Sequence, residues 1–143
     1  MDTRTLRKQH DDIGKTSEEL IKAIMSEDRG AVAALRWRLA RELIAHLAVE
    51  DRWLYPMMIR DGSPKASTTA LNFKREMGGL AEAFNQYMTA WHDQRIAEEW
   101  DSFRVATWKL VEVLDIRIRR ENVELYPLAE KQVDAHRPVL RSA

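Results

Sequence analysis

The sequence predicts an all-α protein, folded as an antiparallel bundle of four helices that run up, down, up and down. Only five glycines and four prolines occur among 143 residues, which leaves few turn formers. Apolar residues recur every three or four positions over long stretches, as on one face of a helix. An internal repeat also relates residues 37–56 to residues 108–127. Long helices joined by short turns favour the antiparallel arrangement.

Turn-forming and capping residues set the approximate helix boundaries. The predicted helices cover about residues 3–27, 31–59, 65–93 and a stretch that begins within 93–101. The clearest break precedes the third helix, where Ser63 fits an N-cap and Pro64 the first helical position. The length suits one domain over residues 1–143, with a polar tail from about residue 133.

The repeat makes the second and fourth helices equivalent elements. Trp37 corresponds to Trp108, and Glu50 corresponds to Glu121. The same shift aligns Leu54-Tyr55-Pro56 with Leu125-Tyr126-Pro127. We expect both tryptophans to pack inside the bundle or at its end.

Composition argues against several functional classes. Lys and Arg together number 23, as do Asp and Glu, so the chain lacks the basic excess of a nucleic-acid binder. Without cysteine there can be no disulfide, thiolate zinc site or iron–sulfur cluster. No apolar run approaches the roughly 18 residues that span a membrane, and the amino terminus is too polar for a signal peptide. We therefore expect a cytoplasmic protein.

Polar residues interrupt the apolar stripes at matched positions. His46 and Glu50 share one helical face, Arg117 and Glu121 repeat that spacing, and His10 lies on the stripe of the first helix. A rise of about 1.5 Å per residue places all five in one layer of the bundle. Buried charges are costly unless they are paired or bound to a metal. The layer is thus either a satisfied polar network or a site for iron, manganese or zinc.

These residues make the chain resemble the hemerythrin-like (HHE cation-binding) family. The likeness covers about residues 3–130. It rests on Leu6 to His10, on His46 to Glu50 with the following Leu-Tyr-Pro, and on Glu121 with its own Leu-Tyr-Pro. The resemblance implies a four-helix bundle in which histidines and two bridging carboxylates hold two irons. It also implies oxygen binding, a response to nitric oxide or oxidants, or iron storage and sensing.

Carried over by position, the resemblance assigns only part of the family's metal site. The matching ligands are His10, His46, Glu50 and Glu121. Arg117 and Met77 stand where the family has histidines, and Phe73 stands where it often has a further one. His10 and His46 belong to one iron of the family, and the absent histidines to the other. The resemblance therefore implies a degenerate di-iron site that retains at most one Fe or Zn ion, or none.

Two functions rank first from the sequence, above a catalytic metal domain such as an oxidoreductase or a nitric-oxide repair protein. One is a non-enzymatic cation-binding domain with a sensing, storage or stress-related role. The other is a metal-free interaction module in which Arg117 replaces an ion by pairing with Glu50 and Glu121. A homodimer or a protein partner would then use a surface near Trp91 and Trp100, unless these tryptophans instead cap the end of the bundle. We predict the Arg117 pairing in either case.

Overall fold

The computed structural model describes residues 2–135, and their regular structure is helical, with no strand. The side chains of Met77 and residues 133–135 lie outside this description, as does the predicted tail beyond residue 135. The prediction of an all-α protein is confirmed. Among the described helices, none is both long and apolar enough to cross a membrane.

The described residues contain four long helical stretches and one short helix. In chain order the helices are α1 (Thr3–Met25), α2 (Arg29–Val49), α3 (Tyr55–Asp61), α4 (Pro64–Ala90), α5 (Asp93–Glu98), α6 (Trp100–Arg120) and α7 (Tyr126–Ala135). Two π-helical turns, Glu50–Leu54 and Glu121–Leu125, join α2 to α3 and α6 to α7 without a break. Residues 93–101, within which the fourth helix was expected to begin, contain α5. The antiparallel order of the long stretches stays a prediction.

Side-chain caps set the beginnings of the long helices. Asp2, Asp28 and Ser63 each accept a hydrogen bond from the backbone N–H three residues later. Ser63 and Pro64 thus begin α4 as the sequence predicts. Between α1 and α2 lies Glu27, whose φ of 51° is in the left-handed region typical of tight turns.

The two π-turns arise at equivalent places in the repeat. The N–H of Tyr55 bonds to the carbonyl of Glu50, and that of Tyr126 bonds to the carbonyl of Glu121, five residues back in each case. A proline, Pro56 or Pro127, follows each tyrosine. Proline has no N–H, and its ring crowds the carbonyl four residues earlier. A widened turn relieves that crowding, and such turns are frequent at functional sites.

The apolar core has two parts. One cluster includes Ile13, Leu20, Leu39, Leu43, Phe103 and Leu114. The other includes Leu6, Leu54, Met58, Phe73, Leu125 and Ala129. Along α1, His10 lies between Leu6 of one cluster and Ile13 of the other. A buried polar layer therefore separates the two parts of the core.

Trp91 and Trp100 do not form the possible exposed partner surface, and their burial agrees with the alternative that they pack inside the fold. Both side chains are 8% exposed and pack against the ring of Phe103, at centroid distances of 5.7 and 5.5 Å. The guanidinium of Arg95 covers Trp91, and that of Arg29 covers Trp100. The segment around α5 is thus anchored by these rings. A homodimer or a protein partner stays a prediction, without these residues as its surface.

The prediction that Trp37 and Trp108 pack inside the bundle or at its end is wrong, since they are 62% and 54% exposed. Arg36 and Thr107, one position earlier in each helix, take the buried places. A shift of one residue rotates a side chain by about 100° around the helix axis, which is enough to turn each tryptophan outward.

Candidate metal centre

Three helical stretches bring imidazole and carboxylate groups to one point. His10 comes from α1, His46 from α2, and Glu121 begins the second π-turn. The Nε2 atom of His10 lies 3.0 Å from Nε2 of His46 and 3.0 Å from Oε1 of Glu121. All three residues are buried, and each offers a ligand atom within 4.8 Å of the other two. Three of the five residues that helix heights assigned to one layer therefore meet at one point.

The spacing of these atoms suits a shared metal ion. Imidazole nitrogen and carboxylate oxygen bind metals such as zinc at about 2.1 Å, so two ligands at right angles lie about 3.0 Å apart and tetrahedral ones about 3.4 Å. The two distances of 3.0 Å match the first value. The Nε2 of His46 and Oε1 of Glu121 are 3.8 Å apart, a somewhat wider angle. One ion could therefore contact all three residues.

The outer nitrogens of both imidazoles fix how the rings face the site. Oδ1 of Asn122 lies 2.8 Å from Nδ1 of His10, and Oε1 of Gln9 lies 2.9 Å from Nδ1 of His46. An amide oxygen accepts, so each Nδ1 carries a hydrogen and each Nε2 turns a lone pair inward. Two facing lone pairs at 3.0 Å require a cation between them, which is either a proton or a metal ion.

A comparison with known families agrees with this geometry. The family model of the hemerythrin HHE cation-binding domain matches residues 1–129. The chain belongs to this hemerythrin family. No curated protein and no solved structure matches the chain. His10, His46 and Glu121 thus form a candidate cation site, with a partial His/Glu ligand set, in a cation-binding domain.

Glu50 stands at the edge of this hemerythrin site. Its Oε1 lies 2.8 Å from Nε2 of His46, and its Oε2 is 3.5 Å from the hydroxyl of Tyr55. Glu50 does not belong to the three-residue group that shares one point, although it is fully buried. Oε2 of Glu121 is also buried, and it has no hydrogen-bond partner among the described residues. Each carboxylate therefore keeps oxygen lone pairs that a cation could use.

Burial and close carboxylates change the protonation of the site. Burial lowers the pKa of His46, but hydrogen bonds and charges of Glu121 and Glu50 outweigh this effect and raise it to about 9. Burial, together with the charge of Glu121, raises the pKa of Glu50. Burial also opposes ionisation of Glu121, but hydrogen bonds from His10 and His46 bring its pKa below the usual range. In the absence of metal, His46 and Glu50 therefore both keep their protons to higher pH than usual.

The predicted pairing of Arg117 with Glu50 and Glu121 is wrong. Its guanidinium pairs instead with Glu76 of α4, which also binds Arg120 at 2.8 Å. No ion pair within residues 2–135 joins Arg117 to either carboxylate of the layer. Glu76 is 44% exposed, so this pair keeps contact with water, whereas a pair inside the layer would lose it.

The other two substituted positions have separate outcomes. Phe73 is buried in the second core cluster, with the guanidinium of Arg120 4.9 Å from its ring centroid. It is a packing residue there. The side chain of Met77 lies outside the description, although its backbone belongs to α4.

The sequence analysis missed a tyrosine at the centre of the site. The hydroxyl of Tyr126 lies 3.1 Å from Nε2 of His10 and 3.4 Å from Nε2 of His46. Its ring stacks on the His10 imidazole, with centroids 5.1 Å apart. The signal was the repeated Leu-Tyr-Pro, which we used to align the helices without assigning the tyrosine a role. Gln9 and Asn122 were missed as well, although each adjoins a predicted ligand.

Proposed function

We propose that this chain binds one iron ion and serves to sense or store it, without catalysing a reaction. His10, His46 and Glu121 would hold the ion, and Glu50 would supply a further carboxylate from beside His46. A set of imidazole and carboxylate donors suits iron. The observation that most supports this proposal is that the Nε2 atoms of the two histidines lie 3.0 Å apart and converge on a buried carboxylate.

The residues at the positions of the family's second iron support binding of a single ion. At its positions Arg117 pairs with Glu76, and Phe73 packs in the core. A guanidinium has no lone pair to donate, and a phenyl ring has no ligand atom. The residues that remain serve one ion, and we infer that the four long helical stretches place them as an antiparallel bundle.

The metal-free alternative loses its main support in the described residues. It required Arg117 to stand between Glu50 and Glu121 as an internal cation, and that guanidinium lies with Glu76. The two carboxylates are left with imidazoles as their partners. Two buried carboxylates need a compensating positive charge, and a metal ion carries more positive charge than one proton.

The burial of the site supports holding an ion rather than turning over a substrate. His10, His46, Glu50 and Glu121 are each at most 2% exposed. An ion must therefore enter through a local opening of the helices, and its release must be slow. These are properties of a store or a sensor.

Elemental analysis tests the proposal directly. The protein is purified from cultures supplied with iron or with zinc, and metal per chain is measured. We expect about one iron per chain, falling to near zero in His46→Ala. His92→Ala is the matched control, because His92 is exposed and caps α5. A wild type without metal, or a His46→Ala variant with full occupancy, overturns the proposal. Zinc in place of iron overturns the choice of metal.

A further inference from the structure

We propose that Tyr126 is itself a ligand of the bound ion, which makes the centre an iron(III)–phenolate site. This inference rests on the proposed function, since it needs a metal at His10 and His46. It adds a third kind of ligand atom to the imidazole nitrogens and carboxylate oxygens of the site: a phenol oxygen. It also specifies the oxidation state that the site favours, because a hard anionic oxygen suits iron(III).

The position of the Tyr126 hydroxyl is the main evidence for this inference. Oη of Tyr126 lies 3.1 and 3.4 Å from the two Nε2 atoms, which are themselves 3.0 Å apart. These separations equal those expected between ligands that share one ion, at about 3.0 to 3.4 Å. The hydroxyl therefore faces the same point as the imidazole lone pairs. A tyrosine that only packed in the core would not need its oxygen there.

The second π-turn brings the tyrosine to the site. In a regular α-helix, residues five apart differ by about 140° around the axis, so Tyr126 would point away from Glu121. A π-turn closes its hydrogen bond over five residues, which brings these two side chains toward one face. The equivalent turn brings Tyr55 to Glu50 instead, with the hydroxyl 3.5 Å from Oε2. The two halves of the repeat thus use their tyrosines differently.

The surroundings hold the Tyr126 ring in place. One face stacks on His10, and the guanidinium of Arg7 lies 5.5 Å from the ring centroid. Arg7 is in turn fixed by an ion pair with Glu130 at 2.6 Å. A fixed ring is preorganised for binding. Burial and the charges of the two site carboxylates raise the pKa of Tyr126, so the phenol keeps its proton until a metal ion displaces it.

Ligation is a balanced exchange of a proton for a metal bond. Without metal, the phenol O–H is within hydrogen-bond distance of an imidazole Nε2. When iron(III) is supplied, the O–H bond breaks, the proton passes to water, and the oxygen pair forms the bond to iron. No electron is transferred in this step, so no oxidant or reductant is needed.

A visible absorption spectrum can identify the ligand, because the chain has only three tyrosines, Tyr55, Tyr87 and Tyr126. The full chain is loaded with iron(III) supplied as ferric citrate, and bound iron is measured in parallel. We expect a phenolate-to-iron charge-transfer band, with tyrosinate ring modes in the resonance Raman spectrum. The band should be lost in Tyr126→Phe. It should persist in Tyr55→Phe and in Tyr87→Phe, whose hydroxyl contacts Thr107.

The double variant Tyr55→Phe/Tyr87→Phe leaves Tyr126 as the sole tyrosine, so the test stands even where Tyr126→Phe fails to fold. A band that persists in the double variant supports the inference. Bound iron without such a band in the wild type, or a band that survives in Tyr126→Phe, overturns it and leaves the proposed function intact. A wild type that binds no iron overturns both.

Discussion

The Nε2 atoms of His10 and His46 lie 3.0 Å apart, and an amide oxygen holds the far side of each ring. Both rings are therefore fixed in direction before any ion arrives, each with its Nε2 toward the site. Side chains that orient a ligating histidine in this way affect a metal site nearly as much as the ligands themselves. This relationship gives the first prediction.

Removing either amide should weaken metal binding without removing a ligand. We expect Gln9→Leu and Asn122→Leu each to lower iron affinity about 10- to 100-fold. The freed Nδ1 loses its acceptor, so the ring can rotate or change tautomer. Affinity is measured by competition with a coloured chelator. Gln94→Leu is a matched control, since Gln94 is exposed and bonds with Glu98, away from the site. Affinities within twofold of the wild type would contradict this account of ring orientation.

The stability of the metal-free protein should fall as pH rises above neutrality. The pKa of His46 is raised from 6.5 to about 9, so its stabilising effect is complete below pH 6.5 and is lost as pH passes 9. The raised pKa of Glu50 acts in the same direction, with its loss beginning near pH 4.5. The lowered pKa of Glu121 contributes stability above pH 4.5 that is lost as pH falls further.

Thermal unfolding across this range measures the effect. We expect Tm to fall by roughly 10 °C between pH 6.5 and 9, which corresponds to a loss on the order of 3 kcal/mol. His46→Gln should flatten the slope in that range, whereas His92→Gln should not. Iron binding displaces the His46 proton, so iron affinity should rise with pH in the same window. A Tm that is constant from pH 6.5 to 9 would show that His46 is not protonated in the folded protein.

The Arg117–Glu76 pair should matter little to the metal site. The Arg117 side chain is only 10% exposed, but Glu76 is 44% exposed, and water at its carboxylate limits the contribution of the pair to about 1 kcal/mol. We expect Arg117→Gln and Glu76→Gln to lower the free energy of unfolding by no more than this, with bound metal unchanged. Chemical denaturation and elemental analysis provide the two measurements. A gain of metal in Arg117→Gln would show that the guanidinium competes with the ion for the layer.

The sequence predicted the class of fold and the layer because both depend on regular helices. Periodicity placed His46 and Glu50 on one face, and helix heights placed His10 and Glu121 level with them. The same assumption of regularity hid Tyr126, since a residue five positions after Glu121 lies off its face unless the turn widens. Pro127 was the available signal, because a proline inside a helix must disturb the preceding turn.

The errors at Arg117 and the tryptophans have other physical causes. Arg117 pairs with Glu76, a residue on another helix whose partly solvated carboxylate avoids the cost of burying the ion pair. No spacing along the chain reveals that competition. The predictions for Trp37 and Trp108 are wrong by one position, because Arg36 and Thr107 occupy the inward face beside them. A buried arginine is rare enough that pattern alone favours the tryptophan.

Phe73 provides a test of whether its position serves packing rather than metal. Its side chain is buried among residues of the second core cluster. We expect Phe73→Ala to lower the free energy of unfolding by about 3–5 kcal/mol, since it removes a large buried ring and leaves a cavity. Leu71→Ala is the control on the same helix, because Leu71 is exposed and should change stability by only about 0.5 kcal/mol. Denaturant unfolding measures both. Because Phe73 holds no ion, the folded fraction of Phe73→Ala should bind as much iron as the wild type. A selective loss of iron at unchanged stability would instead place this side chain in the metal centre.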